Sequence, residues 1–275
     1  MEIKNILKFN FNSVTELINT FDTEQKCIEY LEMLRWNGNV ISPYDFTSKV
    51  YKCKNNYYKC KNTNRLFNVK TRTFLECSNV KLIDWFIAIY YVVNHKKGVS
   101  SNQLAKDLGV TQKTAWFMEQ RIREGFNIDT EPLNNQSEAD ETYIGGKNKN
   151  KHKDKRVKGI QGRSTKYKTA VFGMLERGGN LIAKVVPNTK ANTLIPLIKE
   201  HINTDAHIIT DEWVAYKSLW KYYDHSYVKH RIGEYVRGMI HTNNIEGFWS
   251  WLKRTILGTF HWVSSKHLQR YVNVF

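Results

Sequence analysis

The stretch SEADETYIGG, residues Ser137 to Gly146, reads as a short β-strand over 137–143 that carries a carboxylate, Asp140, before a turn at Gly145-Gly146. Further strand-like runs fall near 168–176, 180–187, 206–210 and 225–229. Helical runs fall near 190–203, 212–222 and 241–257. Three meandering strands come first, and helix and strand then alternate.

That order fits an α/β fold with a mixed sheet of the ribonuclease-H type. Asp211 ends the apolar run HIIT, and Glu246 opens a helix in HTNNIEGFWSWLKR. Aspartates at adjacent strand positions lie within a few ångströms of one another, a crowding that cations relieve. Oxygen donors with few nitrogen or sulfur neighbours favour Mg²⁺, with Mn²⁺ as substitute. Two such ions can activate a nucleophile and stabilise the leaving oxygen of a phosphodiester. On a helix, Glu246, Ser250 and Lys253 share a face, so Lys253 can lie along the same cleft and meet a phosphate. His241 and Asn243 precede that helix and can position water, metal or DNA; Thr242, Asn243 and Asn244 can equally cap it. Glu141 and Glu212 adjoin the aspartates but point to the opposite side of an extended chain, and Asp224 reads as a turn residue. Phe248, Trp249 and Trp251 read as core; His261 and Trp262 can stack on a splayed base, with core the reading preferred.

The composition supports a polyanionic partner. The chain has 275 residues and a formal net charge of +16, with a sequence pI near 9.6, and nucleic acid is the commonest partner of such a protein. The basic run KNKNKHKDKRVK holds seven basic residues from Lys147 to Lys158 and one acid. It is expected to be a mobile DNA-binding loop, with Lys147, Lys149, Lys151, Lys155, Arg156 and Lys158 as contacts. Arg254 is counted with them. No stretch approaches the ~20 apolar residues of a membrane span, and the N-terminal residues lack the pattern of a secretory signal. A cytoplasmic, nucleoid-associated protein is expected. Serine nucleophile elbows, Walker loops and dinucleotide fingerprints are absent.

Before the boundary at the polar NIDTEPLNNQ (127–136), the chain reads differently. Residues 13–36 form a helical region, with Ser13 as N-cap and a break near Asp22-Thr23. Residues 40–76 hold short β-like runs (SKVYKCK, NYYKCK, RLFNVKTRTFLE) between Asn-rich turns. Trp85, Phe86, Ile89 and Tyr90 form one apolar helical stripe. SSNQLAKDLGVTQKTAWFMEQRIREGF then reads as helix-turn-helix: Leu104, Ala105 and Leu108 face inward, Gly109 turns the chain and Thr111 caps the second helix. Gln112, Lys113 and Thr114 start that helix, where a recognition helix meets base edges. The four cysteines, Cys27, Cys53, Cys60 and Cys77, form no C-x-x-C pair and are expected to be reduced and mostly buried.

DETYIGGK, VFGMLERGG, TDEWVAY and HTNNIEGFWSWLKRTILGTFHWVSSKHLQRY, with the helix-turn-helix stretch before them, resemble the DDE transposases of bacterial insertion sequences, in the ISXO-like branch. The resemblance covers most of residues 28–275. It implies a ribonuclease-H-like catalytic domain that uses Mg²⁺ or Mn²⁺, as a pair of ions, for strand cleavage and strand transfer. It also implies recognition of double-stranded terminal inverted repeats and target DNA, and action as a homodimer or higher multimer. By the same resemblance Asp140, Asp211 and Glu246 are the catalytic, metal-holding carboxylates and Lys253 the associated basic residue; Asn243 is the rival for the third position. Two departures stand out. Where relatives carry a zinc ribbon with two C-x-x-C pairs, this chain reads SPYD (Ser42–Asp45) and CKNT (Cys60–Thr63), so zinc is not expected and Tyr51, Tyr58 and Phe67 are expected to hold the small sheet by packing. Relatives also run on beyond the position of Phe275, which admits a shortened, inactive remnant that only binds DNA. A nuclease of the same fold is the other alternative. The expected organisation is an N-terminal helix with a degenerate zinc-ribbon-like region (1–80), a helix-turn-helix region (81–130) and the catalytic domain (135–275).

Overall fold

Side-chain caps set the helix starts in the N-terminal half. In the computed structural model, which describes residues 11–126, 131–146, 150, 152–156 and 168–274, the Ser13 hydroxyl accepts from the Glu16 N–H at 3.1 Å. It begins α1 (Val14–Thr20). Thr23 does the same for Lys26 and begins α2 (Glu24–Trp36), which Asn37 ends in the left-handed region, φ 46°. Three short antiparallel strands follow: β1 (Val50–Lys52), β2 (Tyr58–Cys60) and β3 (Leu66–Phe67). Tyr58 and Phe67 are buried and stacked, with centroids 5.8 Å apart. The strand expected over RLFNVKTRTFLE is confined to β3, because Asn68 and Thr71 fold the next residues into hydrogen-bonded turns. Tyr51 does not join the packing and is exposed.

Of the cysteines, which are unpaired, Cys27 and Cys60 are buried, Cys53 is half-buried and Cys77 is exposed. Where the relatives' ribbon ligands are expected, Ser42 accepts from the Tyr44 and Asp45 N–H groups. Asp45 accepts from the Asn62 side chain at 2.7 Å.

Helix α3 (Leu82–Asn94) buries Trp85, Phe86 and Ile89 against α1 and α2, with Phe86 edge-on to Phe21 at 4.9 Å. Helices α4 (Ser101–Leu108) and α5 (Gln112–Glu124) are joined by a short turn in which Gly109 takes φ 66°. There a side chain would be strained. Thr111 caps α5 by accepting from the Thr114 N–H at 3.2 Å.

The chain divides into two compact units, one within Met1–Asn127 and one within Ile128–Asn273. The second is built on a five-stranded mixed sheet of β4 (Ser137–Ile144), β5 (Thr169–Glu176), β6 (Leu181–Val186), β7 (His207–Asp211) and β8 (Asp224–Val228). The strand order is β6-β5-β4-β7-β8: the first three are antiparallel neighbours, and β7 and β8 join in parallel. Residues of β4 and β5 alternate between two cores. One face packs Ala139, Phe172 and Met174 against α6 (Ala191–His201). The other packs Ile144 and Val171 against α7 (Asn243–Thr255), its π-helical extension Ile256–Phe260, and α8 (Ser265–Val272).

The helix expected over 212–222 is instead two 3₁₀ turns, Val214–Tyr216 and Leu219–Lys221. Trp213, Tyr216, Leu219 and Tyr222 recur every third residue, the period at which 3₁₀ side chains align. A small ribbon, β9 (Val236–Arg237) with β10 (Ile240–His241), precedes α7. No helix among the described residues is long and apolar enough to cross a membrane.

Candidate active site

Parallel pairing of β4 with β7 matches Ser137 to Ile208 and Glu138 to Ile209. Two residues beyond that pairing, Asp140 and Asp211 line one cavity, and the Asp211 charge acts on Asp140. Asp140 faces α7, where the Trp249 indole N–H donates to its Oδ2 at 3.0 Å. That contact needs a bare backbone across the sheet. Gly173 pairs with Asp140, and a Cβ there would come within 2.7 Å of two Trp249 ring atoms. Asp211 closes β7, and its Oδ1 accepts from the Trp213 N–H at 2.9 Å, turning the chain sharply.

The third carboxylate depends on how α7 begins. The N-terminal N–H groups of a helix need acceptors, and here they find Glu138, which is fully buried on β4. Its Oε2 accepts from the Asn244 and Ile245 N–H groups at 3.0 and 3.1 Å. Its Oε1 accepts from the Asn244 side chain at 2.9 Å and from Arg177 Nε at 2.8 Å. Arg177 also donates to the carbonyls of Met239 and His241, tying β10 into the same cluster. So fixed, α7 presents Glu246 one turn in. The Thr242 hydroxyl donates to Glu246 Oε1 at 3.0 Å, and His230 Nε2 lies 3.8 Å from the same oxygen. His230 Nε2 has no hydrogen-bond partner among the described residues.

Asp140, Asp211, Glu246, Ser250 and Lys253 open together on one cavity of about 420 Å³, which Lys168 and His230 also border. Burial, with the Asp211 charge behind it and a smaller push from Glu246, raises the Asp140 carboxyl to about 6, although the Glu141 N–H and Trp249 hold it down. Desolvation lowers the Lys253 ammonium, against the pull of Asp140. A set of hard oxygen donors that repel one another suits a divalent cation of the Mg²⁺ type. No group of three or more His, Cys, Asp or Glu side chains among the described residues is already gathered as a metal cage.

The remaining candidates separate. Glu141 turns to the other face, where its Oε2 accepts from the buried Tyr216 hydroxyl at 2.7 Å, although it still borders the cavity. Glu212 accepts from the Arg231 N–H, and Asp224 is the exposed first residue of β8. Asn243 is the exposed first residue of α7 and does not line the cavity. His241 lies in the Glu138–Arg177 cluster, with Nδ1 3.1 Å from Arg177. Arg254 is exposed and donates to the Ser250 carbonyl. Phe248 and Trp249 are buried, but Trp262, expected in the core, is 70% exposed after a left-handed His261.

Lys147, Lys149, Lys151 and Lys158 lie outside the described residues; Lys155 ends a 3₁₀ turn and Arg156 is exposed. In the N-terminal unit Gln112 donates to the Ser101 hydroxyl at 2.8 Å. Lys113 and Thr114 line a cleft of about 690 Å³ with Lys81 and Arg121. Glu138, Arg177, Lys168 and His230 are not among the site residues expected from the sequence. The only signal for the first was a second acid two residues before Asp140, hence on the same strand face.

The sequence pattern of the ISXO2-like transposase domain matches residues 132–275, which hold the whole sheet and all three carboxylates. A protein of the transposable element ISH50 of Halobacterium salinarum is 29% identical over 281 aligned positions, covering 94% of this chain and 91% of that protein. A transposase-like protein of Haemophilus influenzae is 29% identical over 89 positions, 32% of this chain and 71% of that protein.

Proposed function

We propose, from the premise that this chain belongs to the ISXO2-like transposase family, that it cleaves DNA at the ends of an insertion sequence and joins the freed ends to target DNA. The observation that carries this reading is the convergence of Asp140, Asp211 and Glu246, from two strands and a helix, on one cavity bordered by Lys168 and Lys253. In this reading the catalytic domain is ribonuclease-H-like, and the helix pair α4–α5 is a helix-turn-helix that reads the terminal repeats. Gln112, Lys113 and Thr114 contact the DNA, as do the basic residues between β4 and β5. A dimer or larger multimer holds both ends.

Asp140, Asp211 and Glu246 would hold divalent cations, Mg²⁺ or Mn²⁺, which supply an activated nucleophile and charge stabilisation at the leaving oxygen. The protein's own groups do the positioning. Trp249 fixes the Asp140 carboxylate, Thr242 fixes Glu246, and the lysines draw the phosphate into the cleft. Position and charge neutralisation account for the chemistry with no covalent protein–DNA intermediate.

The test is cleavage and strand transfer on DNA carrying the element's own ends, with Mg²⁺ or Mn²⁺, for the wild type and Asp211→Ala. Metal-dependent nicking and joining that disappear in the variant support the reading. Binding without cutting by the wild type sinks it in favour of a DNA-binding remnant. Cutting without end preference or joining sinks it in favour of a nuclease.

A further inference from the structure

Asp211 borders a second cavity, on the side away from Glu246 and Lys253. It has a volume of about 350 Å³, and Trp213, Tyr216, Trp220, His225 and Tyr227 form its walls with Lys217, Lys229 and Glu212. That volume lies at the small end of the range for clefts that enclose flat organic ligands, roughly 300–1,000 Å³. We propose that this cavity receives one unpaired nucleobase of the strand whose phosphate lies at the carboxylates. The proposal rests on the reading of the carboxylate cleft as a DNA-processing site.

The walls are built to hold a planar ring. Trp220 is 68% exposed and Tyr227 42% exposed, so neither is spent on the core beneath. The His225 and Tyr227 rings lie 6.2 Å apart at 33°, close enough to parallel to form one continuous aromatic side. Trp213 cannot swing away, because its indole N–H donates to the Thr189 carbonyl at 3.1 Å and its backbone N–H is held by Asp211. His225 is anchored as well: its Nε2 is 2.9 Å from the Thr210 hydroxyl, which itself donates to the Asp211 carbonyl at 2.8 Å. The pocket wall and the carboxylate are therefore fixed to the same short piece of β7.

The occupant follows from charge and continuity. Aromatic faces accept any base by stacking, and Lys217 and Lys229, both exposed, can meet the backbone phosphate, while Glu212 accepts from the Arg231 N–H. A strand drawn into the carboxylate cleft continues past Asp211, the residue the two cavities share. Extruding a base there removes it from the duplex next to the bond to be broken, at a stacking cost that the aromatic walls offset.

The experiment uses the full chain on duplex DNA of the element's ends, held uncut in Ca²⁺. Permanganate oxidation of thymines is read at and opposite each position flanking the scissile phosphate. One reactive position is expected in the wild type, the thymine left without a partner opposite the base stacked in the pocket; it is absent in a Trp220→Ala, Tyr227→Ala double variant and retained in Trp220→Phe. In Mg²⁺ the double variant should cut intact DNA more slowly by about tenfold or more, the loss of aromatic stacking on one base. On DNA with an abasic residue opposite the reactive thymine, in place of the base that enters the pocket, variant and wild type should cut at equal rates. Uniform protection from permanganate overturns the proposal, as does unchanged cutting by the variant or a defect that persists on abasic DNA. If the wild type does not cut at all, the transposase reading falls, and the permanganate pattern on bound DNA still decides the pocket.

Discussion

Asp140 keeps its orientation because residue 173 has no side chain. In Gly173→Ala the new methyl would meet the Trp249 ring at 2.7 Å, and the indole would have to leave the sheet or the carboxylate. Overpacking of this kind costs about 1–3 kcal/mol. Thermal unfolding should show that loss, while cleavage falls further than DNA affinity; a variant that cuts normally would show that Trp249 does not position Asp140. A second residue-scale device lies in the N-terminal unit, where Glu119 on α5 is buried beside Arg123 at 3.0 Å. Its Oε1 has no hydrogen-bond partner among the described residues. Burial raises its carboxyl from 4.5 to about 7, against the pull of Arg123. The folded chain therefore binds this proton more tightly than the unfolded one. The stability it contributes is fully present below pH 4.5 and is lost as pH rises through 7. Glu119→Gln keeps the shape and removes the titration. Its stability relative to wild type should grow by about 2–3 kcal/mol between pH 4.5 and 8, read by amide exchange of α5; parallel profiles would exclude the effect.

At the scale of elements, the start of α7 is fixed by Glu138. In Glu138→Ala the Asn244 and Ile245 N–H groups lose their acceptor and Arg177 keeps a charge with no buried counterpart. Breaking such a pair costs about 3–5 kcal/mol. The expected signature is rapid exchange of those two amides and reduced cleavage with intact metal-free DNA binding; Glu138→Gln should recover part of both. Unchanged exchange would move the helix anchor elsewhere. This anchor was not legible in the sequence, since Glu138 meets residues more than a hundred positions away and SEAD alone does not rank its two acids. Strands β5 and β7 were legible, because both of their faces are buried and their apolar runs end at Gly or Asp. The segment after Asp211 was misread because a three-residue period of large side chains resembles a helix until the tighter turn is seen. Trp262 was misread for a related reason: a bulky residue after a left-handed turn can be left in solvent.

The whole molecule joins a strongly basic chain to a cleft of crowded acids, and these two properties should separate under test. Electrostatic attraction from a net charge of +16 acts on any phosphodiester backbone, whether or not the carboxylates are intact. Asp140→Ala and Asp211→Ala should therefore bind end-containing DNA as tightly as wild type, or slightly tighter, because each removes a negative charge from the cleft. If six to ten phosphates are neutralised, affinity should fall by roughly 10³- to 10⁵-fold between 50 and 200 mM salt. The slope of that fall should be the same for wild type and both aspartate variants, since they share every basic residue. Metal dependence should differ: Mg²⁺ should raise the thermal stability of wild type at pH 7.5, where Asp140 is ionised, and do so weakly at pH 5, below its value of about 6. In Asp140→Ala that pH-dependent gain should vanish. A Mg²⁺ effect equal at both pH values, or preserved in the variant, would place the cation away from these carboxylates.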